Sequence, residues 1–232
     1  MNSLFICGCS FSADFYENNP NFFEYKKYMG GKFPKTWSEI LSEKLKLNRR
    51  NFAEPSVGND QIFHQFCSLV NELKEGDILI LQWSYNFRYR WRDRNNTSWL
   101  HIGPGKIDES VMNKETHENI LINRDSELYI KIVTEDYMKL IDIICEYKKV
   151  KLFYWCAGEL FGEKIPDEKK FMMSDILTNF LDGDLRRYIM LNVCQNMNIV
   201  DETNGLINDG HNGKIGHEKQ AELFYEYLIK NI

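Results

Sequence analysis

Apolar residues along the chain fall into two kinds of run, and the two alternate. Short, nearly unbroken apolar runs end in glycine, proline or a polar turn. Between them lie longer stretches with apolar residues three and four apart. The first kind suits strands buried on both faces of a parallel sheet, and the second suits helices covering that sheet. Ser3–Cys7, closed by Gly8, reads as a first strand, and Arg50–Ala53, ended by Pro55, as a second. Ile78–Trp83 is apolar at nearly every position, as a central strand is. Val150–Trp155 reads as a fourth strand and Asn198–Val200 as a short fifth.

The helices follow from period and capping. Thr36-Trp-Ser-Glu39 has the spacing of a capping box, and Trp37, Ile40, Leu41 and Leu45 then share one face. A helix from about Asn59 sets Ile62, Phe66, Leu69, Val70 and Leu73 in one stripe. Another is predicted to open near Thr134, with Glu135 and Asp136 in its first turn. It buries Tyr137, Leu140, Ile141 and Ile144 and ends among Lys148 and Lys149. A further helix is predicted over roughly Leu185–Gln195, and the last carries Ala221, Phe224, Tyr225 and Leu228. Together these predict an α/β fold: a three-layer α/β/α sandwich around a mostly parallel sheet of about five strands. Residues 84–132 and 157–183 break the repeat. Each follows a strand's carboxyl end, where such sheets gather functional groups, so both are read as insertions bordering a site. One domain over 1–232 accounts for the length.

Composition narrows the partners. With 43% hydrophobic and 27% charged residues the chain can bury a core. Its net charge of −5 argues against a nucleic-acid partner, because phosphate binding needs concentrated basic charge. Arg88, Arg90, Arg92 and Arg94 form one local basic stretch, alternating with Tyr89, Trp91 and Asp93. Two readings of it stay open: solvated arginines around Asp93, or a lip for an anionic or sugar-rich substrate. Trp83, Tyr85, Trp91, Trp99 and Trp155 likewise suit sugar stacking or core packing. The N-terminus lacks the basic start of a signal peptide, and no apolar run nears the ~20 residues that span a bilayer. The expectation is a cytoplasmic chain with no membrane partner, its six cysteines reduced and mostly in the core. Cys7 and Cys9 have no second pair at zinc-ligand spacing, so neither a metal nor another cofactor is expected. Nothing in the pattern specifies an oligomeric state.

Two places carry residues suited to chemistry. The first strand runs into Gly8-Cys-Ser-Phe-Ser12, so Ser10 stands just past a strand end beside a glycine. There a hydroxyl is presented at the sheet edge, and the following N–H groups can face an oxyanion. The G-x-S-x-G elbow is not matched, since its second glycine is missing. Near the other end stands Asn208-Asp-Gly-His-Asn-Gly-Lys-Ile-Gly-His217. An Asp two residues from a His can orient the imidazole and stabilise its protonated form. The plainer readings are a turn serine and a glycine-rich loop capping the last helix. His64 beside an apolar stripe reads as structural, Met172 and Met173 as packing, and His217 as a cap or packing residue that can also assist the site.

These blocks resemble the SGNH/GDSL hydrolase family, over nearly the whole chain as spaced segments. Gly8-Cys9-Ser10-Phe11-Ser12 is similar to the family's first block, with Cys9 where an Asp is usual. Asp209-Gly-His211 followed by Gly216-His217 resembles the last. The segment from Asn51 to Ile62 is similar to the second block, whose oxyanion glycine falls on Ser56 or Gly58. The third block falls at Gln82-Trp-Ser-Tyr-Asn86, with Ser84 in the place of its asparagine and Asn86 two residues on. The resemblance implies Ser10 as nucleophile, His211 as base and Asp209 as the orienting acid. It implies an oxyanion hole from Ser10, Gly58 or Ser56, and Ser84 or Asn86, with Trp83 and Arg88 at the substrate. The implied activity is cleavage of a carboxylic ester, such as an O-acetyl or short acyl group on a carbohydrate. A weakly catalytic glycan- or partner-binding module and an acyltransferase are the alternatives.

Overall fold

The computed structural model describes residues 2–84, 89–91, 100–102, 126–156 and 198–232. In chain order the elements are β1 (Ser3–Cys7), α1 (Pro20–Tyr28), α2 (Trp37–Leu45), β2 (Asn48–Asn51), α3 (Asn59–Leu69) and β3 (Ile78–Trp83). There follow β4 (Tyr89–Trp91), β5 (Leu100–Ile102), α4 (Ser126–Lys148), β6 (Lys151–Cys156), α5 (Ile199–Glu202) and α6 (Lys214–Asn231). Four strands form one sheet in the order β2-β1-β3-β6, every neighbouring pair parallel. β4 and β5 make a separate antiparallel ribbon.

Alternation along the strands sorts side chains into two cores. Phe5, Cys7, Leu79, Leu81, Trp83 and Tyr154 face α3 and α4, meeting Ile62, Phe66, Leu69, Met138, Ile141 and Cys145. Leu4, Ile6, Ile78, Ile80, Phe153 and Trp155 face α2 and α6, meeting Trp37, Leu41, Ala221, Phe224 and Leu228. The period of two on a strand therefore makes a sheet covered on both faces, the predicted three-layer α/β class. Each such side chain, fully buried, contributes on the order of 1.5–3 kcal/mol. A third cluster joins α1 to the C-terminal segment through Phe22, Tyr25, Ile199 and Ile207.

Several expected boundaries differ. The second strand is Asn48–Asn51 rather than Arg50–Ala53. It is a polar edge strand whose extent follows its pairing with Ser3–Ile6, not its own hydrophobicity. The expected fifth strand is absent: Asn198 makes one isolated bridge to Asn212, and Ile199–Glu202 forms a turn of helix. α4 opens at Ser126, not near Thr134. Thr134 caps nothing; it is buried, and its Oγ1 accepts from Asn59 Nδ2 at 3.3 Å. Leu140, expected inside, is 46% exposed. The helix instead turns Met138, Ile141 and Cys145 inward and stacks Tyr137 on Phe63, ring centroids 4.1 Å apart. α1 was not anticipated, although Asn19-Pro20 carries its start: Asn19 Oδ1 accepts the Asn21 N–H at 2.9 Å, and Pro20 occupies the first turn. Most of the two insertions and the Leu185–Gln195 helix lie outside the described residues, Met172 and Met173 included. No described helix is long and apolar enough to cross a membrane.

Candidate active site

Because the four strands are parallel, the segments after β1, β2 and β3 emerge on one edge of the sheet. Ser10 follows β1, Ser56 and Gly58 lie between β2 and α3, and Ser84 follows β3. Parallel topology alone thus brings three of the predicted blocks to one rim.

The chain makes a tight turn at the end of β1. Cys9 O accepts from the N–H groups of Ser12 and Ala13, at 2.9 and 3.0 Å. Gly8 is required there by space: a Cβ would lie 2.7 Å from Gln82 Oε1, 2.8 Å from Gln82 Cβ and 3.0 Å from Ser12 Cβ. Of the two serines, Ser12 is buried and Ser10 half-buried, so Ser10 is the one a substrate can reach. Downstream, Asn51 Nδ2 donates to Ser12 O at 3.0 Å, and Trp37 Nε1 to Phe11 O at 3.0 Å. Arg49 grips the Asp14 carboxylate through both guanidinium nitrogens, at 2.7 and 2.9 Å.

The His211 segment is built differently. Ile199 N–H donates to His211 O at 2.9 Å and Val200 N–H to Asp209 O at 3.1 Å, so the first turn of α5 holds both residues by their carbonyls. Asp209 Oδ1 accepts from the His211 N–H at 2.9 Å and lies 2.5 Å from His211 Nδ1. Asn21 Nδ2 reaches the other oxygen at 3.4 Å. Burial alone raises the Asp209 carboxyl, but the hydrogen bonds and charge of His211 outweigh it, and the net effect is a carboxyl below its ordinary value. Nδ1 is thereby occupied by a carboxylate, and Nε2 has no partner among the described residues. The imidazole is 28% exposed and packs against Phe11 at 5.0 Å and Phe22 at 5.4 Å between ring centroids. Phe11 is the chain neighbour of Ser10, so the two ends of the sequence meet here. No hydrogen bond joins the Ser10 hydroxyl to His211 among the described residues; the meeting is made by the Phe11 ring.

The remaining candidates divide. Gly58 is buried at the N-terminus of α3 in extended backbone, its carbonyl accepting from Gln61 and Ile62. Ser56 is exposed and holds φ +64°, the left-handed conformation that suits glycine. The Ser84 N–H donates to Asn59 Oδ1 at 2.8 Å, so that N–H is not available to an oxyanion. Trp83, expected against substrate, is a correction: it is fully buried in the core facing α3 and α4, 6.1 Å from the Tyr154 ring, because its strand phase points it inward. Asn86 and Arg88 lie outside the described residues, and so do Arg92, Arg94, Tyr85 and Trp99. His217 is structural. Its buried Nδ1 accepts the Trp37 N–H at 3.1 Å, and burial lowers its pKa to about 3, keeping it neutral at the start of α2. His64 is exposed on α3. No group of three or more His, Cys, Asp or Glu is placed to hold a metal ion among the described residues.

Reading the sequence missed the residues that hold these loops: Gln65, Gln82, Asn59, Asn21 and Phe22. Gln82 is the polar interruption of an otherwise apolar strand, and Asn59 and Gln65 share the buried side of α3. A polar side chain in a buried phase needs a partner, and that is the signal that marks them.

The architecture is that of an α/β protein with a four-stranded, all-parallel sheet between helical layers, and its candidate residues lie at and around the carboxyl edge. Among solved structures, the chain is similar to protein YxiM from Bacillus subtilis, with a TM-score of 0.50 and 14% identity. The match covers 99% of this chain and 56% of that one, and it shows a shared fold. No protein-family model matches the chain, and no curated protein matches it.

Proposed function

We propose that this chain is a serine hydrolase of the SGNH/GDSL kind, cleaving carboxylic esters. The observation that carries the reading is the Asp209–His211 pair: a depressed, largely buried carboxylate 2.5 Å from Nδ1, beside the residue that follows Ser10. A carboxylate on Nδ1 fixes the tautomer whose Nε2 is free to take a proton and stabilises the imidazolium that results. In the proposed reaction His211 Nε2 removes the Ser10 proton as Oγ attacks the ester carbonyl. The negative charge collects on the carbonyl oxygen, facing the Ser10 N–H. The N–H of Gly58 or Ser56 and a side chain from Ser84 or Asn86 are the further donors. His211 then protonates the leaving alcohol, and water, activated by the same imidazole, releases the acid and restores Ser10. A small acyl group on a carbohydrate is the proposed substrate, with Arg88 of the arginine–aromatic stretch as the proposed sugar contact. An acyltransferase would use the same serine and histidine with a sugar hydroxyl in place of water.

The test compares the natural chain with Ser10→Ala in fluorophosphonate labelling and turnover of short-chain aryl esters. Labelling and turnover in the natural chain, falling by at least about 10⁴-fold in Ser10→Ala, is the expected result. The missing Ser10–His211 hydrogen bond favours one other reading, a binding module on the same fold. A natural chain no more active than Ser10→Ala would overturn the hydrolase reading and strengthen that one. Labelling with poor hydrolysis, raised by added sugar acceptors, would point to acyl transfer.

A further inference from the structure

The backbone leading into Ser10 is held by two buried glutamines, one from α3 and one from β3. Gln65 of α3 pairs with both polar groups of Gly8: Oε1 accepts its N–H at 2.9 Å, and Nε2 donates to its carbonyl at 3.2 Å. Gln82 of β3 does the corresponding work one residue on. Its Oε1 accepts the Cys9 N–H at 3.2 Å, and its Nε2 donates to Cys9 Sγ at 3.0 Å. Gln82, Gln65, Cys9 and Gly8 are all buried. The Gly8 and Cys9 groups fix which end of each amide is oxygen, because an N–H can only donate and a carbonyl can only accept.

With Cys9 O bonded to Ser12 and Ala13, every backbone polar group of Gly8 and Cys9 has a partner. The next two N–H groups, on Ser10 and Phe11, have none among the described residues. The hydrogen-bonded stretch therefore ends at the peptide that carries the Ser10 N–H. A donor left unpaired by a rigid turn is preorganised: it does not reorient when charge develops opposite it.

We infer that Gln82, seconded by Gln65, is a positioning residue that sets the Ser10 N–H and hydroxyl for attack by holding Cys9. This rests on the hydrolase reading of the Ser10 site. The inference also gives Cys9 a task. Where an Asp is usual, a thiol here lets the Gln82 amide stay buried, with a weak acceptor for its N–H and no charge in the core. A misplacement of about 1 Å in a reacting group can cost on the order of 10²-fold in rate, so loss of the clamp is expected to appear in kcat rather than in KM.

Gln82→Met keeps the length of the side chain and removes both hydrogen bonds. It is expected to lower kcat on a short aryl ester, and the rate of fluorophosphonate labelling, by about 10- to 100-fold, with KM within about twofold. Gln82→Glu, held protonated by its burial, keeps an oxygen for the Cys9 N–H and an O–H to donate to Cys9 Sγ, and is expected to recover at least half of the loss on a logarithmic scale. Amide exchange supplies a reading that needs no variant to fold. In the natural chain Gly8 and Cys9 N–H are expected to exchange at least about 100-fold more slowly than Ser10 and Phe11 N–H. Unchanged kcat in Gln82→Met, a loss confined to KM, or equal exchange at the four amides overturns the inference. A natural chain without Ser10-dependent turnover instead overturns the hydrolase reading, and with it the catalytic purpose of the clamp.

Discussion

The two loops that form the candidate site are rigid for opposite reasons. The Asp209–His211 segment is organised by its own neighbours: Asp209 bonds His211 two residues away, and α5, some ten residues upstream, holds both carbonyls. The Gly8–Ser12 turn is organised from a distance, by Gln65 and Gln82, 57 and 73 positions further along the chain. A locally built site survives small changes elsewhere in the fold. A remotely built one depends on the sheet and α3 being in register. The candidate site therefore combines a self-contained histidine with a serine whose placement is a property of the whole domain.

Substitutions can break this contrast, the strongest first. Asp209→Asn is expected to cost about 10⁴-fold in kcat, because an amide facing Nδ1 favours the wrong tautomer. Thermal unfolding should lose only the stabilisation that the carboxylate draws from His211, since the loop keeps its α5 hydrogen bonds. A large fall in Tm would show that the His211 segment is less self-contained than described. Gly8→Ala tests the other loop. Its Cβ would press on Gln82 and Ser12, and overpacking of this kind costs about 1–3 kcal/mol. Both Tm and kcat are expected to fall together, in contrast to Asp209→Asn, where activity suffers far more than stability.

A pH profile sharpens the comparison further. His217 is buried neutral with its pKa lowered to about 3, whereas the unfolded chain binds that proton near the ordinary histidine value of about 6.5. Between those values the unfolded state holds more protons, so stability is complete above about 6.5 and declines as pH falls towards 3. The slope contributed is at most about 1.4 kcal/mol per pH unit. Asp209 acts in the same direction at lower pH: its stabilisation is present above the ordinary carboxylate value and is lost as pH falls through its depressed one. Denaturant unfolding of His217→Gln from pH 7 to 4 is expected to show a shallower decline than the natural chain. An identical slope would mean that His217 is not held neutral against Trp37. The smallest effect is expected from Ser56→Gly. Glycine adopts φ +64° without the penalty of about 1 kcal/mol that a Cβ incurs, so Tm should rise by a few degrees.

How much of this was legible in the chain follows from the same contrast. The α/β class, three of the four sheet strands nearly to their ends, and the helices α2, α3 and α6 came from period and capping, because burial there is dictated by runs of neighbouring residues. β2 was misplaced and a fifth strand imagined at Asn198–Val200, because an edge strand is defined by its partner and two apolar residues by nothing. Thr134 read as a helix start because a threonine before two acids has that pattern. Only packing against Asn59 placed it in the middle of α4.

For the site, the sequence by itself determined what local chemistry can determine: a serine at a strand end, a glycine to let the chain turn, and a carboxylate two residues from a histidine. Tertiary structure alone decided that Phe11 and His211 touch, that Ser10 rather than Ser12 is reachable, and that Trp83 faces the core. It also decided which distant glutamines hold the turn. The physical reason is that hydrogen bonds and burial depend on distance in space. Where the partner lies two residues away the sequence contains that distance, and where it lies 73 away only the folded sheet does.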